Sequence, residues 1–165
     1  MTRTAGKDVD PVARVAAFLK EVGCGAEITR TGETIFTVDD AARAVGVPPA
    51  EILKSLLFSV DDGVGWALAL MSGTNRVHDK KVKRLLGAAK LRMGAAEAIL
   101  AYSGFAPGGV PPVGYPEQPR TFLDEDLFRY PLVWAAAGSD HAFFPIAPAE
   151  LLRITGGAVA DIRKE

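Results

Sequence analysis

The stretch Leu56-Leu57-Phe58-Ser59-Val60-Asp61-Asp62-Gly63-Val64-Gly65-Trp66-Ala67-Leu68-Ala69-Leu70-Met71 decides the fold. Leu56 to Val60 reads as a strand, Asp61-Asp62-Gly63 as a hairpin turn and Val64 to Met71 as the returning strand. The returning strand alternates only weakly between apolar and polar residues, as expected of a strand covered on both faces. Such a strand needs further elements on either side, and the flanking sequence supplies them.

Upstream, Asp10 can cap and Pro11 can open a helix in which Val12, Val15, Ala16 and Leu19 recur at helical spacing. Gly23-Cys24-Gly25 ends it. Glu27 to Phe36 reads as two short strands about a Thr31-Gly32 turn, with Thr34, Ile35 and Phe36 on the second. Thr37 begins a short helix in the manner of a capping box, with Asp40 where Glu or Gln is usual, and Gly46 stops it. Pro48-Pro49 starts a helix covering Glu51 to about Ser55. Downstream, helices are expected over Asp79 to Leu86, Ala95 to Tyr102 and Pro148 to Ile154, each followed by glycine, with a helical turn at Asp124 to Phe128. Strands are expected over Lys90 to Met93, Thr121 to Leu123, Leu132 to Ala137, Ala142 to Ile146 and Ala158 to Ile162. Roughly eight strands and six short helices without regular alternation imply an α/β mixed sheet, curved or barrel-like, surrounded by short helices. The expected organisation is an N-terminal tail, 1–11, and one domain, 12–165.

Composition agrees with a globular chain: 48% of the 165 residues are hydrophobic and 24% charged, which excludes a disordered polyelectrolyte. No apolar run approaches the ~20 residues of a membrane span, and the polar start lacks the core of a secretory signal. Cys24 is the single cysteine, so no intrachain disulfide can form and a cytoplasmic setting is expected. The net charge of −1 excludes a polycation. One segment is nevertheless basic. His78 to Arg92 carries Lys80, Lys81, Lys83, Arg84, Lys90 and Arg92 against Asp79 alone. It reads either as a solvated helix face or as a grip on a phosphate backbone.

Several chemistries lack their motifs. The chain has no GxGxxG, no GxxxxGK[ST], no GxSxG and no HExxH. No metal and no cofactor are expected, because His78 and His141 are the only histidines and no cysteine cluster joins them. Cys24 with His141 would be a nucleophile and base, but a lone cysteine in a glycine-flanked turn reads better as a small hydrophobe.

Two features stand out. Lys54 is the only charge between Ile52 and Val60. An ammonium there either snorkels to solvent or faces a cavity and holds a carbonyl or phosphate oxygen. The second is Gly108-Gly109-Val110-Pro111-Pro112-Val113-Gly114, inside a stretch, Ala106 to Pro119, that holds five prolines and three glycines in fourteen residues. Glycines allow close approach to a ligand and expose amides, and prolines stiffen what lies between. The loop is either a connector or a rigid platform for an oxyanion or a water.

These features, in this order, resemble the YbaK/ProX family, the prolyl-tRNA synthetase-associated domain. The resemblance runs from about Val12 to Arg163. It is carried by Val45-Gly46-Val47 with Ile52-Leu53-Lys54-Ser55-Leu56-Leu57-Phe58, by Asp79-Lys80-Lys81 before Leu86-Gly87-Ala88, by Ser103-Gly104-Phe105 leading into Gly108 to Gly114, by Ala137-Gly138-Ser139, and by Pro148 to Gly156 with Val159-Ala160-Asp161-Ile162. The loop departs from the family pattern at Pro111, where Ser before Pro is common. The resemblance implies a free-standing trans-editing deacylase that hydrolyses the ester of mischarged tRNA, expectedly tRNA(Pro) carrying a small amino acid such as alanine. Prolyl-tRNA synthetase is an implied partner, and the oligomeric state is not implied. Such proteins use no covalent nucleophile, and the ribose hydroxyl beside the ester helps to orient water. The implied catalytic residues are Lys54, Gly108 and Gly109. Thr37, Ser55, Val110, Pro111, Ala136, Gly138, Ser139 and His141 are candidates for substrate binding, and Lys80, Lys81, Lys83 and Arg84 for tRNA binding. The competing reading is an accessory module that binds tRNA or an aminoacyl group without hydrolysing it.

Overall fold

A computed structural model of the chain describes residues 10–32 and 35–165. Residues 1–9 of the expected tail, and Thr34 of the expected second strand, lie outside the described residues. The described elements are α1 (Pro11–Glu21), β1 (Thr29–Arg30), α2 (Val38–Val45), β2 (Leu53–Val60), β3 (Gly65–Ser72), α3 (Asp79–Leu86), β4 (Leu91–Met93), α4 (Ala96–Ser103), β5 (Arg120–Asp124), β6 (Val133–Ala136), β7 (Ala142–Ile146), α5 (Pro148–Thr155) and β8 (Ala158–Ala160), with 3-10 turns at Pro49–Glu51 and Glu125–Arg129.

The hairpin that opens the sequence argument is the centre of the molecule. β2 and β3 pair antiparallel from Leu53↔Ser72 to Val60↔Gly65. Their connection carries positive φ at Asp61, Asp62 and Gly63, and Asp61 Oδ1 accepts the amides of Ala89 and Lys90. β3 is buried along Ala67 to Met71. Leu68 and Leu70 enter the main core, whereas Ala69 and Met71 enter a second cluster with Val82 of α3. Both faces of this strand are covered, which explains its weak alternation.

The strands form two sheets and no closed barrel. One is five-stranded, in the order β4-β2-β3-β5-β8, and the other three-stranded, β1-β7-β6. β3 and β5, and β5 and β8, are parallel, and the other pairs antiparallel. Among the described residues a parallel bridge, Ile52↔Trp134, joins the two sheets. The main core lies where α1 (Val12, Val15, Leu19), α5 (Leu151, Ile154), both sheets and the loop residues Phe105, Val113 and Tyr115 meet.

Two local expectations need correction, and the helix count changes with the second. Among the described residues, Ile35 and Phe36 do not pair with β1. The Ile35 amide donates to the Asp140 carbonyl, and β1 pairs with β7 instead. The helix expected over Glu51 to Ser55 is one 3-10 turn at Pro49–Glu51. Continuous pairing of Leu53 to Phe58 with β3 wins over the proline start signal. Finally, the described residues form five α-helices rather than six.

Close backbone approach fixes the loops. Gly138 has φ +98°, and a Cβ there would lie 2.7 Å from the Pro11 carbonyl oxygen. A Cβ on Gly109 would lie 2.6 Å from Ser139 Cα. Gly138→Ala should therefore lower the unfolding free energy by more than about 1 kcal/mol in urea denaturation. An unchanged midpoint would show that this contact relaxes without cost.

Candidate active site

The cleft begins as a gap in the five-stranded sheet. β4 pairs with β2 only at Phe58, Ser59 and Val60, and the bridge to β6 is made at Ile52. Between these points the outer edge of β2 has no partner strand among the described residues. The Leu57 carbonyl faces that side, where it accepts the Gly94 amide at 2.9 Å. Strand geometry then turns the backbone groups of Ser55 to the same side. A cavity of about 570 Å³ fills the gap. Its walls include Ile35 to Val38 and Ala41 from the α2 region, Ile52 and the β2 residues Leu53 to Leu57, Met93 at the end of β4 and Gly94 after it, Ile99 of α4, Pro107, Gly108 and Val110 of the loop, and Ala136 and Phe143 of the small sheet.

Lys54 lies on this wall, half-buried. Its Nζ donates to the Asn75 carbonyl. Asn75 Nδ2 in turn donates to Asp126 Oδ2 at 2.7 Å, and Asp126 is paired with Arg129. Among the described residues no carboxylate pairs with Lys54, unlike Lys81, Lys90, Arg43 and Arg153. Burial lowers the Lys54 pKa, and the charge of Arg76 lowers it further. The Asn75 hydrogen bond holds Asp126 below the usual carboxylate range.

The Gly-Pro loop faces the cleft at Pro107, Gly108 and Val110. Gly108 has φ +89°. Its amide and that of Val110 have no partner among the described residues. The loop is held from behind by its carbonyls. Tyr115 Oη donates to Pro111 at 2.7 Å, Gln118 to Pro112 at 2.9 Å and Arg14 to Gly114 at 2.8 Å. Arg14 also lies over the Phe105 ring, 4.5 Å from its centre. Burial pushes up the pKa of Tyr115, and that of Tyr102 is pushed up to about 12, so both stay neutral donors.

Ser55 presents a second open group. Its Oγ is buried and has no hydrogen-bond partner among the described residues. A buried hydroxyl without a partner costs about 1–3 kcal/mol, and such a group calls for a ligand or a water.

Of the sequence candidates, Lys54, Gly108, Thr37, Ser55, Val110 and Ala136 thus converge on one cleft. Five others do not line it. Gly109 is buried against Ser139 and gives its amide to the Ala106 carbonyl at 3.1 Å. Pro111 is buried in the loop's base. Gly138 and Ser139 pack behind the loop. His141 Nδ1 sits 3.1 Å from Asp140 Oδ1 and 3.4 Å from Ser139 Oγ. Cys24 is buried in the main core. The basic candidates Lys80, Lys81, Lys83 and Arg84 lie on α3, away from the cleft lining. Lys81 is tied to Asp161 at 3.1 Å and to the Arg163 carbonyl at 2.9 Å. Sequence reading missed Asn75 and Asp126, whose roles come from long-range contacts, and Phe36 and Met93, which carried no motif.

Known proteins similar to the chain identify its family. The family model described as the aminoacyl-tRNA editing domain matches residues 32–154. A solved structure described as a candidate trans-editing enzyme for prolyl tRNA synthetase superposes with a TM-score of 0.88 at 40% identity, covering 95% of this chain and 99% of that one. EbsC of Enterococcus faecalis, named as a candidate Cys-tRNA(Pro)/Cys-tRNA(Cys) deacylase, is 27% identical over 79% of each chain. The proline–tRNA ligase of Limosilactobacillus fermentum is 32% identical over 66% of this chain, which spans only 20% of that protein. The chain belongs to the aminoacyl-tRNA editing domain family. Its class is that of the aminoacyl-tRNA deacylases, hydrolases of an ester bond. No helix among the described residues is long and apolar enough to cross a membrane.

Two outcomes follow from the geometry. Ser55→Ala removes a hydroxyl with no protein partner, so the unfolding free energy should stay level or rise by up to about 1 kcal/mol. A loss above about 1 kcal/mol would reveal a structural partner. Arg76→Gln removes a charge that lowers the Lys54 pKa. If the ammonium is needed, catalysed ester loss, corrected for hydroxide, falls as Lys54 deprotonates on the alkaline side. The variant should move that limb to higher pH, and an unmoved limb would separate Lys54 from the pH profile.

Proposed function

We propose that the chain edits in trans, releasing a small amino acid such as alanine from mischarged tRNA(Pro). The observation that carries the reading is the half-buried Lys54 ammonium in the same cleft as Gly108 and Val110, where among the described residues the ammonium has no carboxylate partner and the two amides have no acceptor. An ammonium left unpaired in a cleft is a site for an anion or a developing negative charge. The likeness to a candidate trans-editing structure over nearly the whole of both chains supports action apart from a synthetase. The likeness to part of a proline–tRNA ligase supports tRNA(Pro) as adaptor and prolyl-tRNA synthetase as an associated protein.

The chemistry asked of the protein is modest, because an aminoacyl ester is already activated. Water adds to the ester carbonyl, the tetrahedral intermediate expels the ribose oxygen, and that oxygen takes a proton to leave free amino acid and tRNA. Lys54 holds the substrate carbonyl or the last phosphate. The amides of Gly108 and Val110 place the carbonyl and the water, as preorganised donors do for an oxyanion. Neither step needs a protein nucleophile. Thr37, Ser55 and Ala136 form the small wall of the amino-acid pocket, where each methylene discriminates by about 1–3 kcal/mol. Ser139 and His141 act from behind the loop, by holding the turn against which Gly109 rests. On α3, Lys80, Lys83 and Arg84 are free of ion pairs among the described residues and serve the acceptor stem. Lys81 is held by Asp161.

A panel of mischarged tRNAs, with alanyl- and cysteinyl-tRNA(Pro) among them, tests the reading. One aminoacyl ester should be cleared, and Lys54→Ala should slow its clearance at least about a hundredfold, within the range of losing one electrostatic donor. The variant's circular dichroism should match the wild type. Retention of every ester with tight tRNA binding would favour the accessory module. Reversing Lys80, Lys83 and Arg84 to Glu should raise the Michaelis constant and flatten its salt dependence. An unchanged salt slope would return α3 to a solvated face.

A further inference from the structure

The start of α2 leaves one aromatic ring with nothing to pack on. Phe36 precedes the N-cap Thr37. An apolar side chain at that position ordinarily folds onto the fourth residue of the helix as a staple. The fourth residue is Ala41, already buried in a small cluster with Ile35, Ile52 and Phe143. Phe36 stays 84% exposed, although burial of a phenylalanine ring is among the larger gains open to a side chain. Its backbone is not loose. The Phe36 amide donates to Asp40 Oδ2 at 3.3 Å, and the Asp40 amide donates to Thr37 Oγ1 at 3.0 Å. The cap therefore holds an unpacked ring on the wall of the cleft that contains Lys54. Met93, 55% exposed, lines the same cleft.

Cavity size and charge say what such a ring serves. About 570 Å³ is more room than a small aminoacyl group needs, and the lysine calls for an anion. The group that brings a flat, stackable face, a ribose and a phosphate to an aminoacyl ester is the nucleoside that carries it. Resting on the deacylase reading above, we propose that Phe36, with Met93 beside the same cleft, forms a stacking subsite for the terminal adenine of the tRNA. The ring then sets where the ester lies relative to Lys54 and the Gly108 amide. Stacking also explains exposure: the fold holds the ring open because its partner arrives with the substrate. A membrane or protein partner would want apolar surface beyond the cleft, but of the exposed residues Asp39, Arg43 and Ala44 next on α2 two are charged and the third is only a methyl group.

The test uses fluorescein-labelled, uncharged acceptor-stem minihelices that end either in the natural adenosine or in an abasic ribose at the same place, read by anisotropy. The wild type should prefer the adenosine end by about tenfold, the scale of one base–aromatic stack. Phe36→Ala should lose that preference without a change in thermal midpoint, and Phe36→Trp should keep it. Binding of the abasic minihelix should be equal in all three. A wild type indifferent to the base, or a Phe36→Ala variant that keeps the preference, would overturn the subsite. The minihelices contain no ester, so this result stands apart from hydrolysis. A Phe36-dependent preference in a protein inert toward every mischarged tRNA would overturn the deacylase reading alone.

Discussion

An interrupted sheet edge organises this molecule. β2 is paired along its whole length on one side, whereas on the other it is paired only at its end and bridged only at its start. An unpaired strand edge in a folded protein invites either a neighbouring chain or a ligand. Here α2, the loop after α4 and the small sheet wall it off, so the opening becomes a cleft rather than a surface for aggregation. The Ser55 backbone and hydroxyl, the Lys54 ammonium, and Gly108 and Val110, whose amides have no partner among the described residues, all border that opening. Continuous pairing of β4 with β2 would remove the site without touching any of those side chains.

Charge placement follows the same logic. Most cations of the chain that have contacts are neutralised at the surface, as Lys81 is by Asp161 and Arg153 by Glu150. Such exposed pairs contribute little to stability. Lys54 differs from these, as Arg14 does, because its protein partner is a neutral carbonyl. A carboxylate in that place would hold the ammonium and cancel its field. The carbonyl orients it without adding a second charge, and the Asn75 to Asp126 bond fixes the carbonyl. The acid is thus kept one residue away from the cation, where it braces the loop.

Much of this was legible in the sequence, and what was hidden has physical reasons. The elements α2, α3, β3, β7 and α5 could be read almost to the residue, because caps, glycine stops and apolar runs are local signals. Lys54 and the Gly-Pro loop could be singled out because each breaks its surroundings, one as an isolated charge and the other as a run unfit for helix or strand. Sheet closure could not be read. Whether strands curl into a barrel or separate into two sheets depends on pairings such as Ile52↔Trp134 that no local pattern encodes. The same holds for Gly109, where the glycine signals close backbone approach to Ser139 rather than an amide aimed at the cleft. Phe36 reads as a strand residue in the sequence, because a β-branched and aromatic run after a turn looks like a strand. Tertiary contact of Ile35 with Asp140 and the capping of α2 overrode that preference.

The central claim is that the opening beside β2 receives the aminoacyl end of a tRNA. Backbone amide shifts of the isotope-labelled protein, titrated with an adenosine bearing alanine through a 3′-amide in place of the ester, test it most directly. The account predicts that the largest changes fall on Ser55, Leu57, Gly108 and Val110. Changes centred on α3 or on the outer surface of α1, with those four amides still, would contradict it.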